Sequence, residues 1–113
     1  MADLVYINEE EGKKRVMNNA KLYAKLLVKF KTGTNLDDLI TFTEAQDWEK
    51  AYAAAHTIKG IAANLSLTEL FNQSLNLETQ IKEKSIKLES LENLKTCFNE
   101  TLIAVEKVIA QNA

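Results

Sequence analysis

The only histidine of this 113-residue chain, His56, lies in the run AYAAAHTIKGIAAN, residues 51–64. An imidazole nitrogen can act as a nucleophile, a general base or a metal ligand. Lys59 follows one helical turn later, so that its ammonium could attract an anion bound beside the ring. The run therefore combines one nucleophile and one cation with neighbours that have very small side chains.

A helical wheel separates His56 from the residues that a helical bundle would bury. The predicted buried stripe lies about 100–180° from His56 and comprises Ala51, Ala55, Ile58, Ala62 and Leu65. The side that carries His56 comprises Glu49, Tyr52, Ala53, Lys59, Gly60 and Ala63. Because charged residues stand at both ends of this side, we expect it to face solvent and His56 to be exposed.

The small residues beside His56 predict close approach by a partner. A solvated helix face usually carries long polar side chains, and glycine in a helix interior costs about 1 kcal/mol relative to alanine. We therefore interpret Gly60, Ala53 and Ala63 as residues that leave access to the imidazole. Tyr52, one turn before His56, either lines the same docking patch or packs against a neighbouring helix.

Other uses of His56 have less support from the sequence. A lone histidine in a helix is most often a surface or core residue without chemistry, and alanine-rich helices are common because alanine is the best helix former. A metal site is not expected, since one histidine without a nearby cysteine leaves only carboxylates as further ligands. Ser66 and Thr57 offer hydroxyl groups, but nothing places a nucleophile, base and acid together in a cleft.

The composition predicts an all-α protein. The chain has no proline and three glycines, the two residues that disfavour helix interiors most. Its net charge of −2 gives no overall basic field for nucleic acid or an anionic membrane. The single cysteine, the absence of a signal-peptide layout and the absence of a long apolar run predict a cytoplasmic protein without membrane insertion.

Hydrophobic period and capping residues predict six helices. Asn8 caps the first, Asn35 the third and Asp47 the fourth, while Ser66 and Glu69 form a capping box for the fifth. The predicted ranges are 8–17, 19–31, 35–46, 48–64, 66–84 and 88–110. We expect one domain over residues 1–113, an antiparallel four-helix bundle of the last four helices, with one or two short additional N-terminal helices across an end.

The stretch AHTIKGIAANLSLTEL, residues 55–70, resembles the signature AHxLKGxAxxLGxxxL of histidine-containing phosphotransfer domains. The upstream segments LYAKLLVKF and AQDWEKAYAAAH and the downstream segment LNLETQI are also similar to that family. The resemblance covers about residues 5–82, and the last helix agrees in period alone. Ser66 stands where the family usually has glycine, and Ala63 where many members have another glycine.

The resemblance implies a phosphorelay carrier and not an enzyme in isolation. His56 would accept a phosphoryl group from a receiver-domain phospho-aspartate, Lys59 would stabilise its charge, and Gly60 would leave room for the partner. In some members a polar residue on the next helix orients the imidazole, for which Glu78 is the first candidate and Gln73 the second. The expected partners are response-regulator receiver domains and a hybrid sensor histidine kinase. Mg²⁺ would come with the receiver, and this chain would bind no cofactor.

Two alternatives remain open at this point. The chain could be a helical adaptor that binds a receiver domain without phosphoryl transfer. It could also be the phosphoacceptor domain of a larger chemotaxis-type kinase, although an initiating methionine and a last helix that ends close to residue 113 favour a free-standing protein.

Overall fold

The computed structural model describes residues 5–112, and within that range it contains six α-helices and no β-strand. The ends of the predicted domain, residues 1–4 and 113, lie outside the described residues. The all-α prediction is confirmed, and each predicted helix is present with ends that differ by a few residues. The helices are α1 (Glu9–Lys14), α2 (Ala20–Gly33), α3 (Asp37–Glu44), α4 (Trp48–Leu65), α5 (Thr68–Lys82) and α6 (Leu88–Asn112).

Side-chain caps start three of the helices. The side chains of Asn8, Asn19 and Asp47 each accept a hydrogen bond from the backbone N–H three residues later, at the starts of α1, α2 and α4. Such a bond satisfies a donor that has no partner within the helix. The prediction that Asn35 caps α3 is wrong by one residue: Leu36 is the N-cap, and Asn35 accepts from the N–H of Asp37 instead.

The predicted capping box of Ser66 and Glu69 is wrong. Ser66 is the C-cap of α4 and adopts the left-handed conformation, with φ 58° and ψ 41°. Its hydroxyl donates to Glu11 Oε1 at 2.9 Å, and the N–H of Glu69 donates to the carbonyl of Val5 at 3.0 Å. Ser66 ends α4, and Leu67, which has no side-chain cap, is the N-cap of α5. The N-terminal segment therefore supplies hydrogen-bond partners at this turn.

Helix α2 is part of the bundle, which corrects the prediction that the last four helices form it. Tyr23, Leu27 and Phe30 of α2 are buried in the core, and the Phe30 ring packs against Phe98 of α6 at 5.8 Å. Helix α2 packs against α6 and α4, whereas the short α3 lies along α4. The long helices α2, α4, α5 and α6 thus enclose the apolar core.

Helix α1 is held against this bundle by a close approach of its glycine to Tyr23. A Cβ at Gly12 would collide with the Tyr23 ring, so that only glycine permits this contact. The Tyr23 hydroxyl donates to the carbonyl of Leu65 at 2.7 Å. One tyrosine therefore joins α1 and α2 to the end of α4, the helix that carries His56.

Candidate functional site

Helix α4 has the two faces that the helical wheel predicts. The predicted buried stripe is confirmed in full, since Ala51, Ala55, Ile58, Ala62 and Leu65 are all buried. The opposite face lies between α5 on one side and α2 and α3 on the other. It consists mainly of exposed residues, among which are Glu49, Tyr52, Ala53, His56, Thr57 and Gly60.

The expected exposure of His56 is found in the structure. Its side chain is 62% exposed, yet one ring nitrogen, Nδ1, contacts a neighbouring helix. His56 Nδ1 lies 3.2 Å from Oε2 of Glu78, a carboxylate on α5 that is only 11% exposed. The other carboxylate oxygen, Oε1, accepts a hydrogen bond from Lys59 Nζ at 3.0 Å. Glu78 therefore bridges the two groups that the sequence singled out.

The charge of Glu78 is maintained by these two neighbours. Burial by itself raises the pKa of the carboxyl, but the hydrogen bonds from Lys59 and His56 outweigh it and hold the pKa below the ordinary value of 4.5. Near neutral pH the group is therefore a carboxylate, which can accept hydrogen bonds but cannot donate one.

An ionised Glu78 determines which nitrogen of His56 carries the proton. A carboxylate accepts hydrogen bonds, so that the contact at 3.2 Å requires Nδ1 to be the N–H nitrogen. The lone pair of the neutral ring then lies on Nε2, at the opposite edge of the imidazole. Among residues 5–112, no side chain or backbone group makes a hydrogen bond to Nε2. The site thus presents the Nε2 edge of an oriented imidazole to solvent.

The remaining docking candidates lie around His56. The Tyr52 ring stacks beside the imidazole, with centroids 6.1 Å apart and planes 10° from parallel, and is 36% exposed. A Cβ placed on Gly60 would meet no atom within 4 Å. Ala53 lines a depression on the side of α2 and α3, and Ala63 lines another beside α1 and α5.

Gln73, the second candidate for orienting the imidazole, is placed elsewhere. Its side-chain amide donates to Glu69 Oε1 at 3.0 Å, one helical turn away on α5. It lines a depression together with Tyr6 and Cys97, on the side of α5 that faces α6. Because α5 is a helix, a residue five positions from Glu78 points to a different side, and Gln73 is therefore not at the imidazole.

Leu75, an apolar residue on the exposed side of α5, is absent from the site predicted from the sequence. Leu75 is 42% exposed and lies one turn before Glu78, on the same side of the helix. The only feature of the sequence that could have indicated Leu75 as part of the site is its position three residues before Glu78. Together with Tyr52 it places apolar surface on both helices that carry the site.

The described residues show neither a metal site nor a membrane span. Within residues 5–112, no group of three or more His, Cys, Asp or Glu side chains could hold a metal ion. No helix in that range has the length and apolar character needed to cross a bilayer.

Comparison with known proteins identifies the family. A model of the Hpt domain matches residues 28–107, about seven tenths of the chain. The match includes His56, Lys59, Gly60 and Glu78 and most of α6, for which the sequence showed only a helical period. Residues 5–27, which lie within the resemblance to the family, fall outside the matched range. No curated protein and no solved structure was found to match.

The family accounts for the fold and for the kind of process in which the chain takes part. Hpt domains are helical bundles that serve histidine phosphotransfer in two-component signalling. The match covers more than half of the sequence and includes the run around its single histidine. The chain belongs to the Hpt domain family.

Proposed function

We propose that His56 is a phosphorelay intermediate, which accepts a phosphoryl group on Nε2 from a receiver-domain phospho-aspartate and passes it to another receiver. The observation that carries this proposal is the exposed ring whose Nδ1 is 3.2 Å from a buried carboxylate. That geometry suits a nucleophile that must be reached from outside the protein. A general base within an enclosed pocket would not need such exposure.

The transfer can be written with all atoms balanced. The Nε2 lone pair attacks the phosphorus, an N–P bond forms, and the bond from phosphorus to the aspartyl oxygen breaks. The aspartate leaves as a carboxylate, and the ring becomes a phosphorylated imidazolium that still has its proton on Nδ1. Onward transfer reverses these steps at a second receiver.

Glu78 supports both directions of this reaction. When the ring is phosphorylated, its positive charge lies beside the Glu78 carboxylate, and the hydrogen bond at Nδ1 becomes charge-assisted. When the phosphoryl group leaves, the same contact returns the ring as a neutral imidazole with the Nδ1 proton in place. The carboxylate thus acts as a positioning group, in the way that a buried aspartate orients a catalytic histidine.

Lys59 can stabilise the phosphoryl group without leaving Glu78. Its ammonium has three N–H donors, and the bond to Glu78 Oε1 at 3.0 Å uses one of them. The other two can meet phosphoryl oxygens, and the side chain is 21% exposed. Phosphoryl transfer depends mainly on positioning and charge stabilisation. Glu78 would position the imidazole of His56, and Lys59 would stabilise the charge of the phosphoryl group.

The receiver would supply the rest of the active site, including an acidic pocket and Mg²⁺. A division of this kind agrees with the small residues around His56, because another protein must reach the ring closely. Tyr52, Leu75, Ala53 and Ala63 would contact the receiver. A hybrid sensor histidine kinase upstream and a response regulator downstream are the proposed partners, in the cytoplasm.

Incubation with phosphorylated receiver domains tests the proposal. The protein should acquire an acid-labile, base-stable phosphate, and His56→Gln should acquire none, since the chain has no second histidine. Unchanged receiver binding by His56→Gln would show that this variant is folded. If the wild type binds receivers but is labelled by none of the host's full set, the chain is a receiver-binding adaptor and the proposal is wrong.

A further inference from the structure

The basic residues of the chain are unevenly distributed. Residues 13–31 contain seven of the 14 lysines and arginines and no aspartate or glutamate. On α2, Lys21, Lys25 and Lys29 follow one another at intervals of four and are all exposed. Arg15, between α1 and α2, is 50% exposed. We call these four residues the basic face; they create a local positive field on a protein whose net charge is −2.

Little within the described part of the chain neutralises the basic face. Among residues 5–112, no carboxylate lies within 4.0 Å of the ammonium groups of the three lysines. Arg15 is 3.7 Å from Glu11 Oε1, an oxygen that also accepts the Ser66 hydroxyl at 2.9 Å. By contrast, Lys31 on the flank of α2 is paired with Glu106 of α6 at 3.4 Å.

The basic face reaches the surface that carries His56 through two of its residues. Arg15 and Lys29 stand at a groove of about 680 Å³ between α2 and α4, whose apolar lining includes Leu26, Phe30 and Ile61. A second depression, of about 410 Å³, shares Ile61 and continues along α4 to Ala53 and Thr57. Thr57 is adjacent to His56 in sequence, and Ala53 lies one turn before it. A protein bound over His56 would therefore extend to the basic face.

We propose that the basic face steers and orients the receiver domain, and that the receivers this chain accepts present acidic residues at the matching edge of their docking surface. The proposal rests on the phosphotransfer function above and names a selectivity determinant for it. Arg15, Lys21 and Lys25 lie outside the residues that match the family, 28–107. Selectivity from these three residues would add to whatever the matched residues supply.

An anionic membrane fits the same surface less well. Stable attachment to a membrane usually needs an apolar helix face in addition to basic residues. The apolar face of α2 is used in the core, where Tyr23, Leu27 and Phe30 are buried. Leu22 and Val28, each 41% exposed, are the large apolar residues of α2 that are fully at the surface, and Leu26 is half-buried in the groove. A protein partner needs only complementary charge at the edge of its contact.

Loss of charge from the basic face should change the rate at which a receiver associates with this protein. Charges at the rim of an interface act mainly on the association rate and on its salt dependence, because screening extends over about 8–10 Å at moderate ionic strength. Removal of three like charges should therefore slow encounter at low salt and matter little at high salt. The chemistry at His56 should be unaffected once the complex has formed.

The test compares two triple variants that remove the same charge. The first replaces Lys21, Lys25 and Lys29 by Gln, and the control replaces Lys84, Lys87 and Lys107, three exposed lysines at the α5–α6 connection and on α6. The second-order rate of labelling from a phosphorylated receiver is measured from low to high salt. The affinity for the same receiver without phosphate is measured in parallel, and circular dichroism checks the fold.

We expect the α2 variant to be labelled about tenfold more slowly than the control at low salt, with a weaker salt dependence and a saturated transfer rate equal to that of the wild type. The proposal would be overturned if the labelling rates of the two variants depended on salt in the same way. It would also be overturned if the wild type sedimented with anionic vesicles through these lysines and bound the vesicles more tightly than it bound receivers. Failure of the wild type to be labelled by any receiver would instead refute the phosphotransfer function, and the binding measurements would still decide whether the basic face selects receivers.

Discussion

Replacement of Gly60 by alanine should change the stability of the fold and the access to His56 in opposite directions. Gly60 is exposed in the interior of α4, and a Cβ at this position would meet no atom within 4 Å. Nothing in the fold of the described residues therefore requires glycine. Gly60→Ala should stabilise the protein by about 1 kcal/mol, which is the difference in helix propensity between the two residues.

This gain in the free energy of unfolding corresponds to a rise in the melting temperature, Tm. An unfolding entropy of about 2.1 cal/mol/K per residue, taken over 113 residues, amounts to about 0.24 kcal/mol/K. A gain of about 1 kcal/mol should therefore raise the Tm by about 4 °C. Calorimetry or thermal unfolding followed by circular dichroism measures this shift.

The same substitution should impair phosphoryl transfer. The added methyl group lies one helical turn from His56, on the exposed face, where it would hold back an incoming receiver. A displacement of reacting groups by about 1 Å can cost up to about a hundredfold in rate. We expect labelling from a phosphorylated receiver to fall by at least about tenfold, with a more stable protein.

A control separates stability from access. Asn99→Ala, at an exposed position of α6, should stabilise the protein by a similar mechanism and leave the labelling rate unchanged. If Gly60→Ala is more stable and is labelled as fast as the wild type, the idea that Gly60 provides access is refuted. If Gly60→Ala is instead less stable, the local geometry described for α4 is wrong.

Three further predictions concern Glu78, Gly12 and Ser66. Because the folded pKa of Glu78 lies below 4.5, its stabilisation is present above that pH and is lost as the pH falls through the folded pKa. Urea unfolding between about pH 6 and about pH 3 should show a loss that is smaller in Glu78→Gln, and equal losses would contradict the contacts described. Gly12→Ala should cost about 1–3 kcal/mol because the added Cβ collides with the Tyr23 ring, and an unchanged urea midpoint would exclude that close contact. Ser66→Ala keeps the left-handed strain and loses the bond to Glu11, and should cost about 1 kcal/mol. Ser66→Gly also loses that bond but relieves the strain, and its urea midpoint should lie close to that of the wild type.

Much of the local structure could be predicted because its causes are local. Asn8, Asn19 and Asp47 begin helices because a short polar side chain can reach the N–H three residues later, whatever the rest of the fold does. The burial of one α4 stripe, and with it the exposure of His56, follows from the period of 3.6 residues and the positions of charged residues on the other side.

Prediction was wrong where distant segments compete for the same groups. Ser66 and Glu69 have the spacing of a capping box, but Glu11 and Val5 take up those groups because the N-terminal segment folds back onto the α4–α5 turn. The bond from the Ser66 hydroxyl to Glu11 also helps to hold Ser66 in the left-handed conformation. Such a contact joins residues 55 positions apart, and no local pattern indicates it.

The sequence by itself determined that the chain is helical, which face of α4 is buried, and that its one histidine faces solvent, because helix period and capping act within a few residues. Tertiary structure alone decided that Glu78, rather than Gln73, meets His56 Nδ1 and that the same carboxylate also holds Lys59. It also decided that α2 belongs to the bundle and that Lys29 lines a groove between α2 and α4. These outcomes depend on how neighbouring helices align along and around their axes, and that alignment is set by the packing of the whole core and not by the spacing of residues within any one helix.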